Sequence, residues 1–129
     1  MVKKVDVGVM GLARKAVVIG RDAAIRQAAG EMEDAGVSAV IAGPSPLWLV
    51  TEHDLLGALA SGLGPGAPVG EVASRAPVWV SPNTSVRDAA HMMSSRRVRH
   101  LVVVDPSGEP VGLVDILDVV EALTESLSC

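Results

Sequence analysis

The sequence predicts an α/β (α+β) fold of two pseudo-twofold related β-α-β-β-α repeats whose small sheets pack against each other. Three observations predict it. The chain repeats itself at about half its length, each repeat alternates short apolar runs with stripes of helical period, and 129 residues suffice for one compact domain but not for two large ones. A shift of 61 residues lays Val17 on Val78, Arg26 on Arg87, Ala28 on Ala89, Ala29 on Ala90, Met32 on Met93 and Val37 on Val98. Further on the shift becomes 64, and Leu49, Val50, Asp54, Ala58 and Leu59 meet Leu113, Val114, Asp118, Ala122 and Leu123. The extra residues fall where Gly43-Pro44-Ser45-Pro46 corresponds to Asp105-Pro106-Ser107-Gly108-Glu109-Pro110, a turn, where length varies without disturbing a core. The boundaries are therefore set at 1–64 and 65–129, two halves of one module.

Each repeat opens with an apolar run read as a strand, Val17-Val18-Ile19 or Val78-Trp79-Val80. A helix follows, with Ile25, Ala28, Ala29 and Met32 on one face, matched by Val86, Ala89, Ala90 and Met93 at i, i+3, i+4, i+7. Asp22 and Asn83 precede these helices as acceptors for free backbone N–H groups, and Gly36 stops the first. Two strands come next, Val37–Ala42 and Leu47–Val50 in one repeat, Val98–Val104 and Val111–Val114 in the other. A second helix closes each unit, from Thr51 to about Ser61 and from Asp115 to about Leu127, the latter striped by Ile116, Val119, Val120 and Leu123. A unit of this size buries little surface alone, so the halves are expected to share a core with clefts between them.

Composition narrows the function. With 49% hydrophobic and 20% charged residues and mean hydropathy +0.40, the chain is not a disordered one. No apolar run has the roughly 18 residues of a membrane span, and the basic start is interrupted by Asp6, Arg14 and Lys15 too soon for a signal peptide. The lone cysteine, Cys129, excludes an intrachain disulfide framework; the expectation is a soluble protein of the reducing cytoplasm. A net charge of -4, a pI near 5.2 and only two aromatic residues, Trp48 and Trp79, argue against a nucleic-acid partner. His53, His91 and His100 lack metal-ligand spacing, and no nucleophile elbow or phosphate-binding glycine loop is present, so neither a catalytic set nor a metal site is expected.

Two segments carry possible chemistry. Thr51-Glu52-His53-Asp54 and its counterpart Asp115-Ile116-Leu117-Asp118 sit at strand-to-helix junctions. There the free N–H groups favour an anion, and a carboxylate suits the vicinal hydroxyls of a ribose. The same pattern is also an ordinary capping box, which for so short a motif is the more frequent use. In the basic run Ser94–His100, Arg96 and Arg97 end a helix and offset its dipole. Arg99 and His100 begin a strand and alternate in facing, one of them a candidate phosphate grip.

The duplicated unit resembles the cystathionine-β-synthase (CBS) domain, and the whole chain resembles a stand-alone tandem pair, a Bateman module, over roughly residues 5–125. The resemblance is carried by Gly36–Ile41, Leu49–Leu56, Arg97–Asp105 and Gly112–Asp118, with short lead-ins at Val7-Gly8 and Val69-Gly70. It implies a regulatory, non-enzymatic module that binds an adenosine-containing ligand (AMP, ADP, ATP or S-adenosylmethionine) in the clefts between repeats. Asp54 and Asp118 are then the ribose carboxylates, Thr51 a phosphate or ribose contact, and Val37, Ser38, Ala39, Val98, Arg99 and His100 the adenine border or phosphate reach, with Thr84 on the cleft wall. No cofactor beyond that ligand is implied. A homodimer is expected, together with an effector protein, since these modules pair and signal by altered packing or oligomerisation. Asp115 departs from the usual Ser or Thr, and a second carboxylate about 4 Å from a phosphate repels by roughly 1 kcal/mol in water and more in a cleft. Trp48 replaces the small residue found at Gly112 and is large enough to fill part of the Thr51 cleft. The alternative is a ligand-free interaction module in which Thr51, Asp54, Asp115 and Asp118 only cap helices. A nucleic-acid binder through Arg96–His100 ranks third, and a small hydrolase or transferase last.

Overall fold

The computed structural model describes residues 7–73 and 75–127, so Cys129 lies outside the described residues. The strands and helices occur in the order read from the sequence. In the first repeat they are β1 (Val18–Gly20), α1 (Ile25–Ala35), β2 (Ala39–Gly43), β3 (Trp48–Thr51) and α2 (Glu52–Ala60). The second repeat supplies β4 (Trp79–Val80), α3 (Val86–Arg96), β5 (His100–Val104), β6 (Pro110–Asp115) and α4 (Ile116–Leu127). Short 3-10 turns at Val9–Gly11 and Val69–Glu71 precede β1 and β4. The strands form two three-stranded sheets, β1-β2-β3 and β4-β5-β6, with the first pair of each parallel and the second antiparallel. This is an α+β architecture.

The chain folds into two compact units, Ala16–Pro77 and the remainder, in which the lead-in up to Lys15 joins Val78 onward. The unit boundaries therefore fall at 15/16 and 77/78, whereas the sequence repeats meet at 64/65. The reason is backbone hydrogen bonding. In the first unit Ile25 N–H donates to Ala67 O (2.9 Å), Arg26 N–H to Pro65 O (3.0 Å), and Val69 N–H to Ala23 O (2.8 Å). In the other, Val86 N–H donates to Val7 O (2.9 Å) and Val9 N–H to Thr84 O (2.7 Å). Each lead-in thus satisfies the helix start of the repeat from which it is remote in sequence. Val9 and Val69 are the true counterparts, each opening a 3-10 turn and fully buried, so the Val7/Val69 pairing suggested by the Val-Gly dipeptides is displaced.

Asp22 and Asn83 do not cap the helices. The N-cap of α1 is Ala24, which has no side-chain acceptor, and that of α3 is Ser85, whose hydroxyl accepts from Asp88 N–H (3.0 Å). With lead-in carbonyls occupying free donors of the first turn, α1 has less need of a polar cap. At the other end, the repeat mates Gly36 and Arg97 both adopt the left-handed conformation, at φ 67° and 54°. Glycine does so freely, whereas arginine there bears roughly 1 kcal/mol of strain.

The cores follow the repeat. Ile25, Ala28 and Met32 pack under β2 and Val50 in one unit; Val86, Ala89 and Met93 pack under β5 and Val114 in the other. Ala29 and Val120 were expected on these faces but are exposed; on α4 the core stripe runs through Ala122 instead of Val120. Trp48 is half-buried and Trp79 is exposed. Gly112 is small by necessity: a Cβ there would approach Ala13 Cβ to 2.8 Å. The two β-β turns are closed differently, by the Arg21 guanidinium donating to the carbonyls of Pro44 and Pro46, and by Asp105 Oδ1 accepting from Ser107 N–H (2.9 Å) and Glu109 N–H (3.0 Å). Hydrogen bonds from the Ser107 hydroxyl and from the Glu109 amide hold the Asp105 carboxyl below its ordinary pKa.

Leu101 is fully buried in β5, and Leu101→Ala is expected to cost about 2–5 kcal/mol in urea unfolding.

Candidate functional site

The strand-to-helix junctions bring most of the sequence-predicted residues together, one set in each unit. In the first unit, pairing of Ala39 with Thr51 places the start of β2 beside the end of β3, and Glu52 N–H donates to Ser38 O (3.0 Å). Ser38, Ala39, Thr51 and Asp54 therefore share one corner. Thr51 is the N-cap of α2; its hydroxyl accepts from Asp54 N–H (3.2 Å), while Asp54 Oδ2 accepts from Thr51 N–H (2.9 Å). This is a complete capping box. It engages one oxygen of Asp54, and Oδ1 has no hydrogen bond among the described residues. Val37 is buried, its N–H donating to Met32 O at the end of α1, so its side chain contributes to the core rather than to an open surface.

The other unit repeats the backbone but not the side-chain chemistry. Ile116 N–H donates to Arg99 O (2.9 Å), the equivalent of the Glu52–Ser38 bond, and His100 pairs with Asp115 across β5 and β6. His100 Nε2 lies 3.6 Å from Asp115 Oδ2, both side chains largely covered, while Arg99 is exposed; the alternation expected at the start of this strand holds. Asp115 Oδ1 accepts from Leu117 N–H (2.8 Å), so an Asp rather than a Thr serves the first turn of α4. Val98 is half-buried and donates its N–H to Met93 O. Thr84 lies apart from this corner in the β4–α3 turn, its carbonyl engaged by Val9 and its Oγ1 3.3 Å from Ser81 Oγ.

Asp118 has a partner that sequence reasoning missed. Arg14 Nε donates to Oδ2 (3.1 Å) and Nη2 to Oδ1 (2.9 Å), a two-pronged ion pair 104 residues apart in sequence. The Arg14 backbone is anchored by reciprocal bonds with Leu113 on β6 (2.9 and 2.8 Å). Asp118, with Asp115 and Glu121 adding attraction, raises the Arg14 pKa above its ordinary value. The available signal was the 61-residue shift itself, which lays Arg14 on Arg75. Arg75 makes the corresponding backbone contact, its carbonyl accepting from Leu49 N–H (2.8 Å), but forms no ion pair among the described residues.

Among the described residues, no group of three or more His, Cys, Asp or Glu side chains is placed to hold a metal, and no helix is long and apolar enough to cross a membrane. What both corners offer is hydrogen-bonding capacity beside a helix N-terminus, which suits recognition of hydroxyls or an anion. Thr51→Ala is expected to destabilise the fold by about 1 kcal/mol, and Thr51→Ser to restore it, in denaturant titrations.

Comparison with known proteins finds relatives of the same fold. The CBS domain family matches residues 69–125. A solved CBS domain protein from Pyrobaculum aerophilum, complexed with AMP, is 30% identical and superposes with a TM-score of 0.79, covering 95% of this chain and 100% of that one. A CBS-domain-containing protein from Agrobacterium tumefaciens, 25% identical, gives a TM-score of 0.78 over 95% of this chain and 98% of that one. An uncharacterized 17.7 kDa protein of Acidianus ambivalens is 28% identical over 114 residues, 86% of this chain and 69% of that protein.

Proposed function

The chain belongs to the CBS-domain family as a tandem pair of repeats, and we propose that it is a regulatory module binding an adenosine-containing ligand and relaying occupancy through altered packing or oligomerisation. The observation that carries this reading is the convergence of Ser38, Ala39, Thr51 and Asp54 at one corner, with Asp54 Oδ1 left without a hydrogen bond among the described residues. The Pyrobaculum relative, solved with AMP, supports the nucleotide as ligand class. Asp54 takes a ribose hydroxyl through Oδ1 while its other oxygen holds the helix start; Thr51 orients it, and Ser38 borders the base, the Ala39 side chain being buried. Regulation rather than catalysis is the role this reading gives the chain, and its membership of the CBS-domain family supports it. His100 lies beside Asp115, whose charge disfavours a phosphate there, whereas the exposed Arg99 is placed to reach an anion.

Self-association is part of the proposal. Leu56 (67% exposed) and Leu59 lie three apart on α2, and Leu117 and Val120 three apart on α4, each pair an uncovered apolar helical face. A homodimer that covers such faces, and through it an effector protein in the cytoplasm, is the route by which a bound ligand is read out. Light scattering is expected to give a dimer for wild type and a smaller species for Leu56→Glu or Leu117→Glu.

A second reading has its own support: the finished capping box and the Arg14–Asp118 pair give Thr51, one oxygen of Asp54 and both oxygens of Asp118 partners within the protein, as an interaction module requires. Thermal unfolding with AMP, ADP, ATP, S-adenosylmethionine and GTP separates the two. A ligand at roughly 100 times its Kd adds about 2.7 kcal/mol of stability, a shift that Asp54→Ala is expected to remove. Unchanged melting with every compound would favour the interaction module.

A further inference from the structure

The two corners are not equivalent, and the difference lies in who holds the carboxylate. At α2 the aspartate three residues into the junction, Asp54, spends one oxygen on Thr51 N–H and keeps the other. At α4, Asp115 itself accepts from Leu117 N–H, while Asp118 has both oxygens engaged by a guanidinium. We propose that Arg14 is a built-in occupant of the Asp118 carboxylate, standing where the vicinal hydroxyls of a nucleoside would bind and confining such ligands to the Thr51/Asp54 corner. This rests on the reading above that the junction carboxylates recognise an adenosine-containing ligand.

Geometry makes the occupant a strong competitor. The fork of Nε and Nη2 matches the two oxygens of a carboxylate, the arrangement in which arginine binds such groups best. A cis-diol also addresses a carboxylate with two parallel donors, but neutral ones, so it gives up the charge assistance that the guanidinium supplies. The Asp118 side chain is only 13% exposed, which leaves little approach around Arg14. The Arg14 side chain is 51% exposed, but its backbone is fixed: its N–H and C=O both pair with Leu113, five residues before Asp118, so folding of the lead-in onto β6 brings the guanidinium to the site. Arg75 makes the matching contact with Leu49 and yet leaves Asp54 alone. Capping by Thr51 draws Asp54 back onto its own helix start, and Asp115, by taking over that duty at α4, releases Asp118 for Arg14.

The test is calorimetric titration with AMP of wild type, Arg14→Met, Asp54→Ala and the Arg14→Met/Asp54→Ala double variant, with Arg14→Gln as a second replacement and circular dichroism as the folding check. The expected result is one AMP per chain for wild type, none for Asp54→Ala, a second AMP for Arg14→Met and Arg14→Gln, and recovery of one in the double variant, removed again by adding Asp118→Ala. Wild type binding two AMP, or Arg14→Met and Arg14→Gln still binding one with unchanged affinity, would overturn the role of Arg14 while leaving the adenosine reading intact. Weaker AMP binding by both Arg14 variants, with adenosine binding unaffected, would make Arg14 a phosphate ligand and overturn the proposal. Absence of AMP binding in every folded variant would overturn both readings together.

Discussion

Each unit depends on a handful of backbone hydrogen bonds between a lead-in segment and the start of a helix. The first N–H groups of a helix have no partner within it, and a helix packed into a small core cannot leave them unpaired at low cost. Here the carbonyls of Pro65 and Ala67 serve α1 and that of Val7 serves α3. Because the lead-in that serves each helix lies in the other repeat, neither compact unit coincides with one copy of the repeat. Buried Val9 and Val69 complete these contacts by entering the two cores.

The same constraint brings Arg14 to Asp118. Once Val9 is seated, the following residues run along β6, and the reciprocal bonds between Arg14 and Leu113 fix where the guanidinium emerges. Gly112 must then lack a side chain, since Ala13 lies against it. Trp48, its repeat mate, occupies a position without that demand and is half-buried. Thus a requirement of helix capping, met by the backbone, ends by determining which side chain covers a carboxylate.

Capping and recognition draw on one set of atoms at these junctions. A carboxylate or hydroxyl at a helix start satisfies an amide in the protein alone and is equally placed for a ligand hydroxyl. Thr51 and Asp54 perform the first task reciprocally, Asp115 performs it singly, and Asp118 is held by a cation instead. The duplicated chain has therefore kept its backbone bonds, Glu52 to Ser38 and Ile116 to Arg99, while its side chains have diverged. Backbone geometry is shared by any residue type; side-chain chemistry changes with a single substitution.

The amino-acid sequence by itself determined the number and order of the strands and helices, because hydrophobic period is a local property and the duplication states it twice. Met32 and Met93, or Val50 and Val114, could be assigned to cores from spacing alone. The pairing of Thr51 with Asp54 was legible for the same reason: a capping box closes within four residues. Only the tertiary structure decided that α1 starts without a side-chain cap, that the lead-ins change places, and that Arg14 sits on Asp118. Those contacts join residues from about 40 to more than 100 positions apart, where chain closure carries an entropy cost that no local pattern encodes. Their positions follow from which backbone donors remain unpaired once the sheets and helices have formed.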